Sequence, residues 1–183
     1  MIEIGRANDH AAAIIKQSRS LLGRRSDPEI QKKIDLNAVI ADALSILSTE
    51  ANHRQVVLLA ESHKKPLLVR ADPVHLLQVV LNLATNAMDA MADISPDARR
   101  IVIRTALLDQ STAWVAVIDS GPGIPEAKIS EIFETFYTTK EHGTGLGLSI
   151  ARTIIESYGG RIWAENCAEA GAVFQFTIPL SMD

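Results

Sequence analysis

Long apolar runs are missing from this chain. Stretches such as Val56-Val57-Leu58-Leu59-Ala60 fall far short of the roughly 18 residues that a membrane-spanning helix needs. A signal peptide is not expected either, because acidic and basic residues interrupt the first residues from Glu3 onward. Cysteine occurs once, at Cys167, which excludes an internal disulfide and fits an inert thiol in a reducing compartment. An excess of positive charge is also absent. Eighteen Lys and Arg stand against 22 Asp and Glu, a net charge of −4, so nothing draws the chain toward nucleic acid or an anionic membrane. Any phosphate site must therefore be local. There is no internal repeat and no low-complexity tract. A cytoplasmic location is expected, with membrane anchoring of a full-length protein left open.

What is present is ordinary globular composition. The 183 residues are 47% hydrophobic and 22% charged, enough for one substantial domain and an appendage. Residues 3–22 read as one helix. Ile4, Ala7, Ala11, Ile14, Ser18 and Leu21 recur in steps of three and four and make an apolar seam. One such helix cannot bury its own stripe, so it calls for a partner helix. Gly23 ends it, and GRRSDPE reads as linker. The expected division is an appendage over 1–23, a linker over 24–34 and a domain over 35–183.

Within that domain, Asn37 is the expected N-cap of a helix that carries Ile40, Ala43, Leu44 and Leu47 on one face. Gln55 to Glu61 and Leu67 to Arg70 read as short strands around the turn SHKKP. Asp72-Pro73 opens a helix to about Met91, with a capping carboxylate and a proline in the first turn. Arg100 to Leu107 and Thr112 to Asp119 form a strand pair, Leu146 to Tyr158 a helix, and Arg161 to Glu165 and Ala172 to Ile178 closing strands. The expected fold is α/β (α+β in arrangement): a two-layer sandwich whose mixed, mostly antiparallel sheet is covered by helices on one face.

The helix from Pro73 to Met91 is apolar nearly all round, as in a buried helix. Its polar residues His75, Gln78, Asn82, Asn86 and Asp89 fall within an arc of roughly 80°. Such a stripe can simply face water. A solvated face usually carries Lys, Glu and Arg, however, and here two asparagines sit a turn apart. Amides offer neutral oxygens, suited to a hydrated Mg²⁺ that arrives with phosphates. The stripe therefore reads as one wall of a nucleotide site.

Two glycine-rich loops supply the other walls. DSGPGIP, residues 119–125, follows a strand. Its glycines let a ligand approach the main chain, and Asp119 can accept a hydrogen bond from an exocyclic amine or serve as a turn cap. GTGLGL, residues 143–148, opens a helix, where backbone amides and the helix dipole favour an anion. It is neither a dinucleotide fingerprint nor a P-loop. Between the loops lies IFETFYTTK, residues 132–140. Phe133, Phe136 and Tyr137 are expected to pin this loop to the core, and Lys140 to reach a phosphate.

NLATNA, DSGPGIP, IFETFYTTK and GTGLGL resemble, in order and spacing, the four nucleotide-site boxes of sensor histidine kinases. GAVFQFTIP resembles the family's final strand, and the likeness covers roughly residues 35–180. The lid sequence TTKEHGTGLGL is most similar to the nitrogen-regulatory and oxygen-sensing branch. The resemblance implies the Bergerat-type ATP-binding fold shared with type II topoisomerases, mismatch-repair ATPases and certain chaperones. It implies ATP and Mg²⁺ as cofactors, Asn86 as magnesium ligand and Asn82 as its assistant, the two forming the catalytic pair. It further implies Asp119 as reader of adenine and Gly121, Gly123 and Ile124 as shapers of its pocket. The ATP lid would run from Phe133 to Gly145 through Phe136 and Lys140. Its end at Gly143, Thr144, Gly145, Leu146, Gly147 and Leu148 would cradle the phosphates. Two positions depart from the family. Asp89 stands where many members carry a phosphate-directed base, and Ala90 where many carry an aromatic.

Three functions fit these residues. A histidine kinase domain would transfer the γ-phosphoryl of ATP to an imidazole on a dimerisation domain, for onward transfer to a response-regulator receiver domain. Its full-length protein is expected to be a homodimer, with residues 1–23 as the end of a dimerisation helix. An ATP-hydrolysing conformational machine is disfavoured, because such relatives place a glutamate base where this chain has Asn82, and an amide cannot take the proton. A nucleotide-binding regulatory module or a serine kinase of the same fold stays open. His10, His53, His63, His75 and His142 all lack the acceptor's sequence context, so the nucleophile is expected on a domain absent from this chain.

Overall fold

Two sheets of different size organise residues 32–138 and 144–181, the part that this computed structural model describes. The helix expected over residues 3–22, His10, Lys140, His142 and Gly143 lie outside the described residues. The larger sheet has five strands in the order β2-β4-β5-β7-β6: β2 (Val57–Glu61), β4 (Arg100–Leu107), β5 (Thr112–Asp119), β6 (Arg161–Asn166) and β7 (Ala172–Pro179). Only the β2–β4 pairing is parallel; the others are antiparallel. The smaller sheet pairs β1 (Lys32–Asp35) with β3 (Leu68–Ala71). The α/β arrangement with a mixed, mostly antiparallel sheet is thus present.

Three helices cover one face of the large sheet: α1 (Leu36–His53), α2 (Pro73–Ala90) and α3 (Gly147–Ser157). Alternation along the strands decides which side chains meet them. Ile101, Ile103, Val115, Val117, Phe174 and Phe176 point inward and are buried. Leu76, Val79, Val80, Leu83, Ala84, Ala87 and Met88 of α2 bury against them. Each large apolar side chain so placed contributes about 1.5–3 kcal/mol relative to exposure. On the opposite face, both tryptophans, Trp114 and Trp163, stay half-buried. There Trp114 Nε1 donates to Gln175 Oε1 at 3.0 Å, and the Arg161 guanidinium lies 5.6 Å from the Trp163 ring centroid.

Three local expectations change. The strands flanking SHKKP do not pair with each other; β2 joins the large sheet and β3 the small one. The partner of β3 is β1, a charged tetrapeptide that begins in the stretch read as linker. The N-cap of α1 is Asp35 rather than Asn37. Asp35 Oδ1 accepts from the N–H groups of Asn37 and Leu67, both at 3.0 Å. A carboxylate two residues before an orphan helix N–H is the better acceptor. The Asn37 amide is used elsewhere. It donates to the carbonyls of His63 and Lys65 and accepts from Thr105 Oγ1, which fastens the SHKKP loop to β4. Asp72 caps α2 as expected, accepting from Val74 N at 2.8 Å, with Pro73 in the first turn.

Candidate functional site

The polar stripe of α2 faces other parts of the protein. His75, Gln78, Asn82, Asn86 and Asp89 are all half-buried. Near the start of the helix, His75 Nδ1 lies 2.8 Å from the Tyr158 hydroxyl at the end of α3. That hydroxyl also accepts from Asp72 N–H at 3.1 Å, which ties the start of α2 to the end of α3. Burial pushes the phenol pKa up. Two turns on, Asn82 Nδ2 donates to the Gly147 carbonyl at 3.0 Å, at the start of α3. The two helices therefore run antiparallel, and the N-terminus of α3 lies beside Asn82 and Asn86. A Cβ built on Gly147 would sit 3.8 Å from Asn82 Cγ and 3.9 Å from Asn86 Nδ2.

That N-terminus is open. Among the described residues no side chain of Leu146 caps α3, and the one side-chain bond nearby is a long one, from Leu146 N–H to Thr144 Oγ1 at 3.4 Å, so the first N–H groups of the helix retain their affinity for an anion. Gly147 and Leu148 form its first turn, half-buried, with Thr144 exposed just before it. Gly145 has φ +66°, and a Cβ there would fall 2.4 Å from the carbonyl carbon of Phe136. Phe136 N–H donates to the Gly145 carbonyl at 3.0 Å. Phe136 and Gly145, both within the stretch read as the lid, thus meet backbone to backbone.

Of the three aromatics expected to pin this segment, Phe133 does so. It is buried, edge-on to Phe174 at 6.4 Å between centroids. Phe136 does not. The residue is 73% exposed, on a left-handed backbone with φ +68° that carries its side chain away from the core. Tyr137 is half-buried, with Lys128 Nζ 5.9 Å from its ring centroid.

Asp119 ends β5 and is only 4% exposed. One carboxylate oxygen, Oδ1, accepts from Gly121 N at 2.8 Å and Ala172 N at 3.2 Å. The other, Oδ2, is buried and has no partner. Burial raises the pKa of Asp119 above its usual value, against the pull of those two N–H groups. A buried oxygen without a donor costs free energy, and a ligand N–H would relieve that cost. Gly121 must be glycine here, since a Cβ would lie 2.8 Å from Asp119 Oδ1; its next neighbour would be Ala90, 3.6 Å away.

Several contributing residues escaped sequence reasoning. Asp89 forms an ion pair with Arg54, just past α1, and Arg54 also pairs with Glu50. These bonds, that to Asp89 first, raise the arginine pKa. Arg99 donates to the carbonyls of Arg54, Ala92 and Ile94, tying the ends of α1 and α2 together. Asn166 exchanges two bonds with Ile124. Among the described residues, no three His, Cys, Asp or Glu side chains gather as metal ligands. No helix among them is long and apolar enough to cross a membrane.

Residues 71–182 match the family described as histidine kinase-, DNA gyrase B- and HSP90-like ATPases. The chain belongs to this family. A solved catalytic domain of histidine kinase ThkA superposes with a TM-score of 0.73 at 36% identity, covering 82% of this chain and 95% of that one. The structure of ThkA in complex with the response regulator protein TrrA gives a TM-score of 0.74 at 28% identity, over 98% of this chain and 51% of that one. The sensor histidine kinase TmoS of Ectopseudomonas mendocina is 37% identical over 182 residues, 99% of this chain. The chain spans 18% of TmoS, and a third or less of the curated relatives it matches. For a domain of this ATPase family, ATP binding is the expected activity, and the histidine kinase catalytic domains are its near relatives.

Proposed function

We propose that this domain holds Mg·ATP and transfers its γ-phosphoryl group to a histidine presented by a dimerisation domain, for onward transfer to a response-regulator receiver. One observation carries the reading. The buried, partnerless Oδ2 of Asp119 and the uncapped N-terminus of α3 belong to two segments that both adjoin α2, the Asp119–Gly121 turn beside Ala90 and Gly147 beside Asn82 and Asn86, so a site for an amine-bearing base and a site for phosphates share that helix as one wall. Asp119 would accept from the adenine amine, with Gly121, Gly123 and Ile124 around the base. The amides of Gly145, Leu146, Gly147 and Leu148 would face the phosphates, with Lys140, Gly143 and Thr144 as further lid contacts. Asn86 fits magnesium. A single neutral amide oxygen, with no carboxylate cluster among the described residues, suits an ion that keeps most of its water and arrives on the triphosphate. When bound, magnesium would neutralise phosphate charge. Because Asn82 spends its N–H on Gly147, its oxygen stays available to that ion's water shell.

The residues otherwise supply positioning. An acceptor imidazole nitrogen forms a bond to the γ-phosphorus, the bond to the β,γ-bridging oxygen breaks, and ADP leaves with that electron pair. Asn82 stands where a hydrolytic relative needs a base, and its amide is committed as a donor. Membership of the nitrogen-regulatory and oxygen-sensing branch rests on the lid sequence TTKEHGTGLGL. The assignment of residues 1–23 to a dimerisation helix rests on their apolar seam, and with it come the 24–34 linker, the 35–183 catalytic domain and a full-length homodimer.

The test is transfer from γ-labelled ATP. Alone, the chain is expected to gain no stable phosphohistidine. With a separate dimerisation domain, acid-labile label is expected on that partner, slowly, because two untethered pieces forfeit effective concentration. Acid-stable label on serine, or rapid release of phosphate without an acceptor, would overturn the reading.

A further inference from the structure

We infer that Asn166, the last residue of β6, is a positioning residue that presets the base-binding loop; this rests on the reading of Asp119 to Ile124 as the adenine site. Its side-chain amide meets the main chain of Ile124, 42 positions earlier, from both sides. Asn166 Nδ2 donates to the Ile124 carbonyl and Oδ1 accepts from the Ile124 N–H, each at 2.7 Å. That is the pair of bonds two residues exchange across an antiparallel ladder, here made by one carboxamide.

The loop has reason to need it. Gly123, directly before Ile124, has φ +83°, and a Cβ there would lie 2.8 Å from Asn166 Oδ1. Amide and glycine therefore pack in direct contact. Left alone, glycine is the residue with the most backbone freedom to lose. The same hairpin also braces the other end of the loop, since Ala172, the first residue of β7, donates its N–H to Asp119 Oδ1 at 3.2 Å. Between these two contacts the β6–β7 hairpin fixes the spacing from the Asp119 carboxylate to the Gly123–Ile124 wall before any ligand arrives. Ligand ordering of the loop then costs less, which is how preorganisation raises affinity. Only a carboxamide of this length fits: aspartate has no donor, and glutamine is one methylene too long.

Titration calorimetry on the chain with ATP and with GTP tests this. Asn166→Ala is expected to weaken ATP about tenfold, the worth of two neutral hydrogen bonds. It should also reduce the ATP-over-GTP preference, because the base no longer meets Asp119 in register. Asn166→Asp, which keeps the acceptor and loses the donor, should bind ATP more weakly than the parent. Unchanged ATP affinity and base preference in Asn166→Ala, however far the melting temperature falls, would show a structural brace only and overturn the inference. Asp119→Asn run in parallel separates the two readings. If it leaves ATP binding intact, the adenine site itself is misplaced. If it weakens ATP while Asn166→Ala does not, the Asn166 assignment alone fails. Should the Asn166 variants not fold, amide exchange in the unmutated chain decides. Slow exchange of the Ile124 N–H without nucleotide is expected, and exchange at open-loop rates overturns the inference.

Discussion

Asn82 of α2 hands its amide N–H to the carbonyl of Gly147, the first residue of α3, at 3.0 Å. This bond sets where the open N-terminus of α3 lies relative to Asn86. Asn82→Ala should therefore lower stability by roughly 1 kcal/mol, a fall in melting temperature of about 2–4 °C for a domain of this size. Asn82→Asp should cost more than Asn82→Ala, because a carboxylate opposes the carbonyl. Differential scanning of the three proteins checks this order, and identical melts for parent and Asn82→Ala would remove the bond as a brace.

Mg·ATP should stabilise the domain. At a concentration about 100 times its dissociation constant, linkage adds ~2.7 kcal/mol, a melting shift of roughly 5–11 °C. ATP and ADP should shift the melt more than GTP, whose base presents an acceptor where adenine has an amine. Equal shifts would count against Asp119 as the reader of the base.

Asp119 gives binding a pH dependence of known sign. Burial raises its folded-state pKa above the usual value of 3.8, so the folded chain holds this proton more tightly than the unfolded chain. The associated stability is present below the unfolded pKa and is lost as pH rises through the folded one. Nucleotide binding goes the opposite way, since the adenine amine prefers an ionised acceptor. Affinity should fall as pH drops through the folded pKa. Asp119→Asn should abolish that slope, beyond the part due to ATP itself, and weaken binding tenfold to a hundredfold at neutral pH, from ~1.5–3 kcal/mol for a charged hydrogen bond. A slope that survives the substitution would assign it to another group.

Asn86→Ala should leave the melt of the free chain within a few degrees of the parent while the magnesium-dependent part of ATP binding disappears. Circular dichroism melts and titrations with and without EDTA measure the two effects separately. A variant that unfolds, beside a parent that binds ATP equally well in EDTA, would make Asn86 structural.

Local periodicity made some of this architecture readable in advance. β4 and β5 run over the residues that alternation marks, 100–107 and 112–119, and the asparagines of α2 stood out because amides interrupt a helix otherwise buried. What escaped depends on distant partners. β1 is four residues, KKID, with no apolar signature, and it becomes a strand only because β3 lies beside it. The strands around SHKKP looked adjacent along the chain, yet each found its partner elsewhere. Arg54 meets Asp89 across 35 positions, and Asn166 meets Ile124 across 42, so neither pair leaves a mark on its own neighbourhood. Phe136 was misjudged because an aromatic usually seeks the core. Here the left-handed backbone at Phe136 leaves it exposed.

The meeting of Phe136 and Gly145 has a consequence for how such a protein can change over generations. These two residues, nine positions apart in the sequence, are already in contact through the Phe136 N–H and the Gly145 carbonyl. Lengthening the stretch between them carries a closure cost that grows by just about 0.6 kcal/mol for each doubling of length. Changes of length between them can therefore leave the Asp119 turn and the first turn of α3 where they are, because those are held by contacts of their own to Ala172 and Asn82. Selection can retune this segment in one lineage after another without renegotiating the fold beneath it.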